Sequence, residues 1–318
     1  MGLGPPPVLN MTLAIVFPGQ ASQSVGMMRG FADLPVVEAT FREASGILGL
    51  DLWKLAAEGP AEELNRTVNT QPVMLAAGVA CWRAWVERGG PNPAFFAGHS
   101  LGEYTALVAA GAIGFAEALP LVRFRAQAMQ EAVPEGTGGI AVVLGLDEGP
   151  LREVCAEAAQ GEVLEPANLN APGQIVIAGH RAAVERGMAL ARERGAKRAL
   201  MLPMSAPSHC SLMRPAAERL RERLAGVAIR PPAVPVVQNR DVEAFADPDR
   251  IRRALVEQLD HPVRWIETVG LLAARGVTRI VECAPGKVLA GLSKRIAEGA
   301  ECLAVTDSAA LAAALPGG

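Results

Sequence analysis

The decapeptide FFAGHSLGEY at residues 95–104 decides the fold and the chemistry of this chain. Its apolar start predicts a strand, Gly98 and Gly102 each lie two residues from Ser100, and a helix is predicted from Tyr104 to Ala112. This Gly-x-Ser-x-Gly pattern is typical of a sharp strand-to-helix turn that presents a serine hydroxyl at its tip. The helix N-terminus behind the serine would favour a developing oxyanion. The alternative is a glycine-rich loop whose serine only caps the helix.

Composition restricts the class of protein. Half of the 318 residues are hydrophobic, the net charge is −3, and aromatic residues make up 4%. A chain of this length can bury a large core and form two domains. The slight acidity and the scarcity of aromatic residues argue against nucleic-acid binding.

The cysteines and the apolar runs indicate a cytoplasmic protein. The five cysteines are scattered without Cys-x-x-Cys spacing, which predicts neither a disulfide framework nor a zinc site. No apolar run reaches the ~18–20 residues that span a bilayer, so no membrane partner is expected. Residues 1–10 lack the features of a secretory signal, and we expect them to form a disordered tail.

The order of predicted elements indicates two domains. The apolar run Leu13–Phe17 is typical of a parallel strand buried on both faces, and the alternation of strands with helices predicts an α/β sheet. The segment 134–205 has the order strand, helix, strand, strand, helix, strand, which is that of a ferredoxin-like unit. We therefore predict an α/β-hydrolase-like large domain with a parallel sheet at 11–133 and 206–318. A ferredoxin-like small domain is inserted at 134–205, with a cleft between the two.

The predicted helix at 119–133 carries two arginines in different surroundings. Arg123 shares a polar face with Gln127 and Glu131, whereas Arg125 falls on an apolar stripe. An unpaired buried ion is destabilising, so Arg125 needs a partner. From periodicity alone, a functional anion site and an arginine that snorkels or binds a structural carboxylate are equally compatible.

A serine nucleophile needs a general base, and histidine is the usual choice near neutral pH. Of the four histidines, His209 follows the predicted small domain at the mouth of the cleft and is preferred on position. His99 flanks the serine and is expected to pack or orient, His180 ends a predicted strand, and His261 lies in a loop. An acid between Ser100 and His209 could complete a triad, but a dyad with its imidazole oriented by a carbonyl is equally compatible.

Six segments, taken together, resemble malonyl-CoA:acyl carrier protein transacylase, the malonyl acyltransferase family of bacterial fatty acid synthesis. In chain order they are FPGQ at 17–20, GHSLGEY at 98–104, the Arg125 helix, GQ at 173–174 with IAGH at 177–180, PSH at 207–209 and PGK at 285–287. Each segment alone is common. The ordered set is highly specific and extends from about residue 12 into the C-terminal region.

The resemblance implies a set of site residues. Ser100 would be acylated, with His209 as its base. The backbone carbonyl of Gln258 would orient the imidazole. The backbone N–H groups of Gln20 and Leu101 would form the oxyanion hole.

The resemblance also implies a substrate and a partner. Arg125 would bind the malonyl carboxylate, because a planar guanidinium suits a carboxylate in two-pronged geometry. Malonyl would pass from malonyl-CoA to the phosphopantetheine thiol of acyl carrier protein by a ping-pong route that needs no cofactor and no metal, and a monomer is expected. Because such carriers are acidic, a basic rim is expected to guide docking, although a solvated helix face explains most such charges. The rim candidates are Lys197, Arg198, Lys287, Lys294 and Arg295.

The sequence departs from the family pattern in three places, at CAPG 283–286, QNR 238–240 and DHP 260–262. In the first of these the family more often has glycine before the proline. The departures concern the surroundings of the histidine and the cleft rim, so they affect fine specificity more than reaction type.

Three other functions stay open from the sequence. A serine esterase or thioesterase on the same turn would hydrolyse neutral esters without a carrier protein. An acyltransferase could instead serve a polyketide synthase or take methylmalonyl units. A non-catalytic scaffold could retain the fold within a synthase complex.

Overall fold

A five-stranded parallel sheet forms the centre of the computed structural model, which describes residues 12–204 and 206–316. The tail predicted at 1–10 lies outside the described residues. In spatial order the strands are β7 (Val236–Val237), β2 (Phe95–Gly98), β1 (Leu13–Phe17), β8 (Arg279–Cys283) and β9 (Glu301–Val305). β1 pairs with β2 on one side and β8 on the other, so the strand that leads into the serine turn is next to the centre of the sheet.

Both faces of this sheet are buried. Ile15 and Phe17 point into the largest apolar core, whereas Ala14 and Val16 pack into a second core with Trp265. The uninterrupted apolar run of β1 follows from this burial on two faces, as expected for parallel strands. The predicted α/β class with a parallel sheet is confirmed.

The described residues contain thirteen α-helices, and none of them combines the length and the apolarity needed to cross a bilayer. The helices of the large sheet are α1 (Pro35–Leu48), α2 (Leu52–Glu58), α3 (Ala61–Asn65), α4 (Thr67–Glu87), α5 (Leu101–Ala109), α6 (Phe115–Glu131), α9 (Arg214–Ala225), α10 (Pro248–Glu257), α11 (Trp265–Ala274), α12 (Val288–Ile296) and α13 (Ser308–Ala314). The helices of the second sheet are α7 (Glu148–Ala159) and α8 (Arg181–Glu193).

Two helices begin before the residues that the sequence pattern indicates. The pattern starts α4 at Gln71, with Pro72 in its first turn, and starts α6 at Leu119, next to Pro120. The helices extend four residues further toward the N-terminus, so both prolines lie inside them. Proline is favoured at helix starts, which biased the predicted boundaries. Tertiary packing of the buried helices outweighs the single hydrogen bond that each proline removes.

The helix after the serine also begins earlier than predicted. α5 starts at Leu101, immediately after Ser100, rather than at Tyr104. Its glycine is decisive here, because a Cβ on Gly102 would overlap the carbonyl group of Phe17. The absence of that atom lets α5 pack directly on the end of β1.

The second sheet has four antiparallel strands, all taken from between residues 138 and 201. Their spatial order is β4 (Leu164–Ala171), β5 (Gln174–His180), β3 (Gly138–Leu144) and β6 (Arg198–Met201). One face packs on α7 and α8 around an apolar core of its own. The other face packs on Cys210 of the chain segment that returns to the large sheet.

The two sheets are joined through β4. Leu169 N donates to Val263 O, and Val263 N donates to Ala167 O. Cys210 also packs against Ile140, Val176 and Ala178 of the small sheet. A space therefore remains between the small sheet and the C-terminal ends of the large sheet's strands, where sites in α/β folds commonly form.

Candidate active site

Ser100 occupies the turn between β2 and α5 with φ 53° and ψ −108°. A residue other than glycine at positive φ carries strain of about 1–3 kcal/mol, and the surrounding structure must hold it there. Gly98 contributes to this, because a Cβ there would overlap the backbone of Gly102. The turn therefore presents the serine hydroxyl at the end of a buried strand, as the Gly-x-Ser-x-Gly pattern predicts.

The hydroxyl faces a histidine. Ser100 Oγ lies 2.7 Å from His209 Nε2, and His209 Nδ1 lies 2.8 Å from the backbone oxygen of Gln258. Gln258 directly follows α10, and the last carbonyls of a helix have no partner within it. That carbonyl can accept the Nδ1 proton, which leaves Nε2 free to accept from the serine. The structure thus brings Ser100, His209 and Gln258 together, with a carbonyl in the place of a triad acid.

The imidazole is neutral at physiological pH. His209 is buried, and burial together with the nearby positive charge of Arg125 lowers its pKa to about 3. A neutral imidazole can take a proton from the serine hydroxyl, whereas an imidazolium cannot. The electrostatic surroundings therefore favour the form of His209 that a general base requires.

The Arg125 guanidinium is fully buried beside the Ser100 hydroxyl. Nη1 donates to Gln71 Oε1 at 2.9 Å, and Nη2 donates to Gln258 Oε1 at 2.9 Å and to Ser100 Oγ at 3.2 Å. The ring of Tyr104 lies 5.4 Å away, and burial lowers the pKa of the arginine. Within residues 12–204 and 206–316, Arg125 forms no salt bridge with an acidic side chain. A cation held by neutral amides in this way has a strong attraction for an anion.

The predicted oxyanion donors lie on two adjacent turns. A Cβ on Gly19 would be 2.6 Å from His99 O and 3.6 Å from Leu101 N, so the turn at 18–20 lies against the serine turn. In the described ranges the N–H groups of Gln20 and Leu101 donate to no other atom of the chain. Both are therefore available to an acyl oxygen.

A cavity of about 130 Å³ surrounds the serine and lies between the two sheets. Gln20, Ser100 and His209 line one side of it, and Asn168 and Val176 of the small sheet line the other. A wider cavity of about 740 Å³ shares four lining residues with it, Gln20, Ala21, Leu202 and Met204. The two cavities are therefore adjacent, and the smaller, inner one lies at the serine.

The other three histidines are accounted for elsewhere. His99 Nε2 lies 2.8 Å from Asn170 Oδ1 in the cavity wall, His180 Nδ1 accepts from Val163 N, and His261 Nδ1 lies 2.8 Å from Glu257 O. The expectation that His99 packs or orients agrees with this placement.

Sequence reasoning missed two residues of the site. Gln71 binds the Arg125 guanidinium, and a lone glutamine in an apolar helix was the available signal. Asn239 binds the backbone of Ser100, although the sequence indicated only a variant loop there. Its position just beyond a short apolar strand, at the edge where parallel strands end, could have identified it.

Residues 14–310 match the model of the acyl transferase domain family. This chain belongs to that family. It is 54% identical to the malonyl CoA-acyl carrier protein transacylase of Escherichia coli strain K12 over 95% of this chain and 98% of that protein. The corresponding protein of Bacillus subtilis strain 168 is 44% identical over 93% of each chain.

Solved structures agree. The acyl-carrier-protein S-malonyltransferase of Burkholderia pseudomallei 1710b is 58% identical, with a TM-score of 0.94 over 96% of this chain and 99% of that one. A malonyl-transacylase solved in complex with its type II PKS acyl carrier protein is 52% identical, also with a TM-score of 0.94, over 96% and 99% of the two chains. The resemblance inferred from the sequence is confirmed, and the chain is an acyltransferase.

Glu103 gives a testable pH dependence of stability. Its buried carboxyl accepts from Asn239 N at 2.7 Å, and burial raises its pKa to about 8. The folded state therefore binds more protons than the unfolded state between pH ~4.5 and ~8, so this stability is present below pH ~4.5 and is lost as the pH rises through ~8. Glu103→Gln stays neutral and should flatten the fall of Tm with rising pH.

Thermal unfolding followed by circular dichroism at pH ~5 to ~9 measures the effect. Exposed Glu87, at the end of α4, provides the control Glu87→Gln, which should keep the wild-type slope. Some slope should remain in Glu103→Gln, because burial also raises the pKa of Glu282 to about 7. Equal slopes in wild type and Glu103→Gln would contradict the prediction.

Proposed function

We propose that this chain transfers malonyl from malonyl-CoA to the phosphopantetheine thiol of acyl carrier protein through a malonyl ester of Ser100. The observation that carries the proposal is the buried Arg125 guanidinium, 3.2 Å from the Ser100 hydroxyl and bound only by neutral groups within the described chain. Malonyl has one methylene between its thioester carbon and its carboxylate. An acyl group that short can place its carbonyl at the serine and its carboxylate at the arginine.

In the first half-reaction His209 Nε2 takes the proton of Ser100 Oγ as the oxygen attacks the thioester carbon. The carbonyl oxygen becomes negative and is stabilised by the N–H groups of Gln20 and Leu101. The C–S bond then breaks, and the CoA sulfur leaves with the proton from His209. The product is a malonyl-serine ester with His209 neutral again.

In the second half-reaction the phosphopantetheine thiol gives its proton to His209 and its sulfur attacks the ester carbon. The C–O bond breaks, Ser100 Oγ recovers the proton, and malonyl leaves as a thioester of the carrier. One thioester replaces another and no atom changes oxidation state, so the proposed route uses no metal and no redox cofactor. The equilibrium should be close to balanced.

Two features of the site favour transfer over hydrolysis. The inner cavity is narrow, so a bound acyl group and a pantetheine arm leave little room for water. A carboxylate on Arg125 would also fix the ester carbon relative to the incoming thiol. A neutral acyl group would leave the buried guanidinium without an anion, which disfavours acetyl-type substrates.

The domain description is also a proposal. The order β6-β3-β5-β4 with all neighbours antiparallel and two crossing helices supports a ferredoxin-like unit at 134–205. A serine turn that follows a parallel strand supports a hydrolase-like large domain at 11–133 and 206–318. The catalytic cavity then lies between the two domains.

The partner that we propose is an acyl carrier protein of fatty acid synthesis. We propose that this chain acts on it as a monomer in the cytoplasm. One related malonyl-transacylase is solved with a type II PKS carrier, so a polyketide carrier is the alternative. Among the candidate rim residues, Lys287 precedes Val288, which lines the inner cavity and is 47% exposed. Arg295 instead donates to Pro172 O and to Gln174 Oε1, which joins α12 to the turn of the small sheet.

The nucleophile can be tested directly. Wild type incubated with malonyl-CoA should gain one malonyl group by intact mass, and peptide mapping should place it on Ser100. Ser100→Ala should gain none, whereas Ser22→Ala, which removes another hydroxyl of the same cavity, should still be labelled. Rapid release of malonate without dependence on a carrier would favour the esterase instead.

The carboxylate site predicts a change of specificity. Arg125→Ala should lower malonyl transfer by about 10²-fold or more, because losing one member of a buried charge pair costs several kcal/mol. Acetyl transfer should persist or rise, since it has no carboxylate to bind. Arg123→Ala, on the outer face of the same helix, should leave both rates unchanged. Parallel loss of both activities in Arg125→Ala would refute the carboxylate role.

Docking of the acidic carrier predicts a salt-dependent effect. Lys287→Glu should raise the carrier's KM several-fold at low ionic strength, and the difference should shrink as salt screens the charges. The rate of malonyl-serine formation from malonyl-CoA should not change. Arg253→Glu, an exposed position on α10, serves as the control. An unchanged KM in Lys287→Glu would remove this residue from the docking surface.

A further inference from the structure

We infer that Asn239 is a positioning residue for the reaction, which holds the strained serine turn from behind. The inference rests on the proposed role of Ser100 as the acylated nucleophile. Asn239 Oδ1 accepts from Ser100 N at 2.7 Å, and Asn239 Nδ2 donates to Gly98 O at 2.6 Å. One amide therefore binds the backbone on both sides of His99. The side chain is fully buried and is not among the residues that line the described cavity around the serine.

The Asn239 side chain extends the hydrogen bonding between β2 and β7 beyond the point where their backbones can pair. β7 pairs with β2 at Val236–Phe96 and Val237–Ala97. The next backbone pair would fall where β2 ends and the chain turns toward Ser100. β7 also turns away here, because Gln238 N donates to Glu243 O. Asn239 spans the resulting gap with one acceptor and one donor, which is the arrangement that an amide side chain offers.

Asn239 is itself fixed from two further elements. Its backbone N–H donates to Glu103 Oε2 on α5, and its backbone oxygen accepts from Arg264 N before α11. Glu103 lies on the helix that begins at the serine turn. The serine turn and Asn239 are therefore bound to each other through both the side chain and the backbone of Asn239.

This arrangement also assigns the backbone donors of the turn. Because Asn239 takes the Ser100 N–H, that group points away from the substrate side. The donors left for the acyl oxygen are those of Leu101 and Gln20. Losing the amide would release the Ser100 N–H and let φ relax from 53°, which would move the hydroxyl away from His209 Nε2.

The test compares Asn239→Asp, Asn239→Ala and Gln238→Leu. Gln238 is the control because it is equally buried and adjacent, while its amide donates to Val236 O rather than to the serine turn. The readout is the rate constant for malonyl-serine formation, measured by quenched flow and intact mass spectrometry. Circular dichroism measures the folded fraction of each variant, and the rate constant is corrected for it. Asn239→Ala should slow acylation by about 10²-fold, as expected for a displacement near 1 Å, with little change in the KM for malonyl-CoA. Gln238→Leu should acylate at the wild-type rate even if its Tm falls.

The aspartate variant separates positioning from general stability. When protonated, its carboxyl can accept from Ser100 N and donate to Gly98 O, as the amide does, whereas the carboxylate repels that oxygen. Its acylation rate relative to wild type should therefore rise at least tenfold as the pH falls from ~8 to ~5.5. Glu103 and His209 also titrate near this position, and Asp241 carries a charge there, so the rate is compared with wild type at each pH to remove the part of the pH profile that does not depend on residue 239.

Three results would overturn the inference. These are wild-type acylation in folded Asn239→Ala, or in folded Asn239→Asp at pH ~8, equal slowing in Gln238→Leu, and a slow Asn239→Asp with no recovery at pH ~5.5. If Asn239→Ala does not fold, the pH response of Asn239→Asp decides alone. Failure of wild type to acquire malonyl on Ser100 would instead refute the proposed function, so the two failures are distinguishable.

Discussion

The organisation of the site depends on one buried positive charge. The Arg125 guanidinium lies in a region where its neighbours are neutral: two glutamine amides, a serine hydroxyl and a histidine whose pKa is lowered to about 3. The nearby Glu103 carboxyl also favours its neutral form, because burial raises its pKa to about 8. A carboxylate inside the site would neutralise the arginine and remove its preference for an acidic acyl group. Within the described residues no acidic side chain compensates the charge, and the proposed role of Arg125 as a carboxylate site requires this.

That charge and the serine turn are held by the same residue, Gln258. Gln258 uses its backbone oxygen for His209, its Oε1 for Arg125 and its Nε2 for the backbone oxygen of Ser100. His209, Arg125 and Ser100 therefore share one anchor. Its backbone oxygen is free to accept from His209 because Gln258 lies just after α10, where a carbonyl has no partner within the helix.

Much of this could be predicted from the sequence, because strong local signals mark it. The buried strand Leu13–Phe17 and the serine turn with its helix each follow from short-range patterns, and their bounds agree with the structure or differ by a few residues. Short elements such as α2, α3, β9 and α13 were not predicted, since five to seven residues carry little periodic signal. Boundaries beside Pro72 and Pro120 were displaced because proline preference is local and core packing is not.

The site itself was only partly accessible to sequence reasoning, for a different physical reason. Periodicity placed Arg125 on an apolar stripe but could not say whether an acid lies opposite it, because Gln71 and Gln258 are 54 and 133 residues away in the chain. Position at the mouth of the predicted cleft favoured His209 among the four histidines, whereas only the resemblance to a family pointed to Gln258. Asn239, 139 residues from Ser100, had neither a local pattern nor an assigned role. Long-range partners of this kind emerge only when the strands are placed side by side.

The small sheet forms one wall of the cavity around Ser100. The face that carries Val176 lines this cavity and packs on Cys210, directly after His209. Glu165 of β4 accepts from both the backbone N and the hydroxyl of Ser211, so the loop that carries His209 is tied to the small sheet as well as to α10. The cavity wall and the loop that carries His209 are therefore parts of one connected structure. In the proposed reaction this wall limits the room for water beside the malonyl-serine ester, which favours transfer to the thiol.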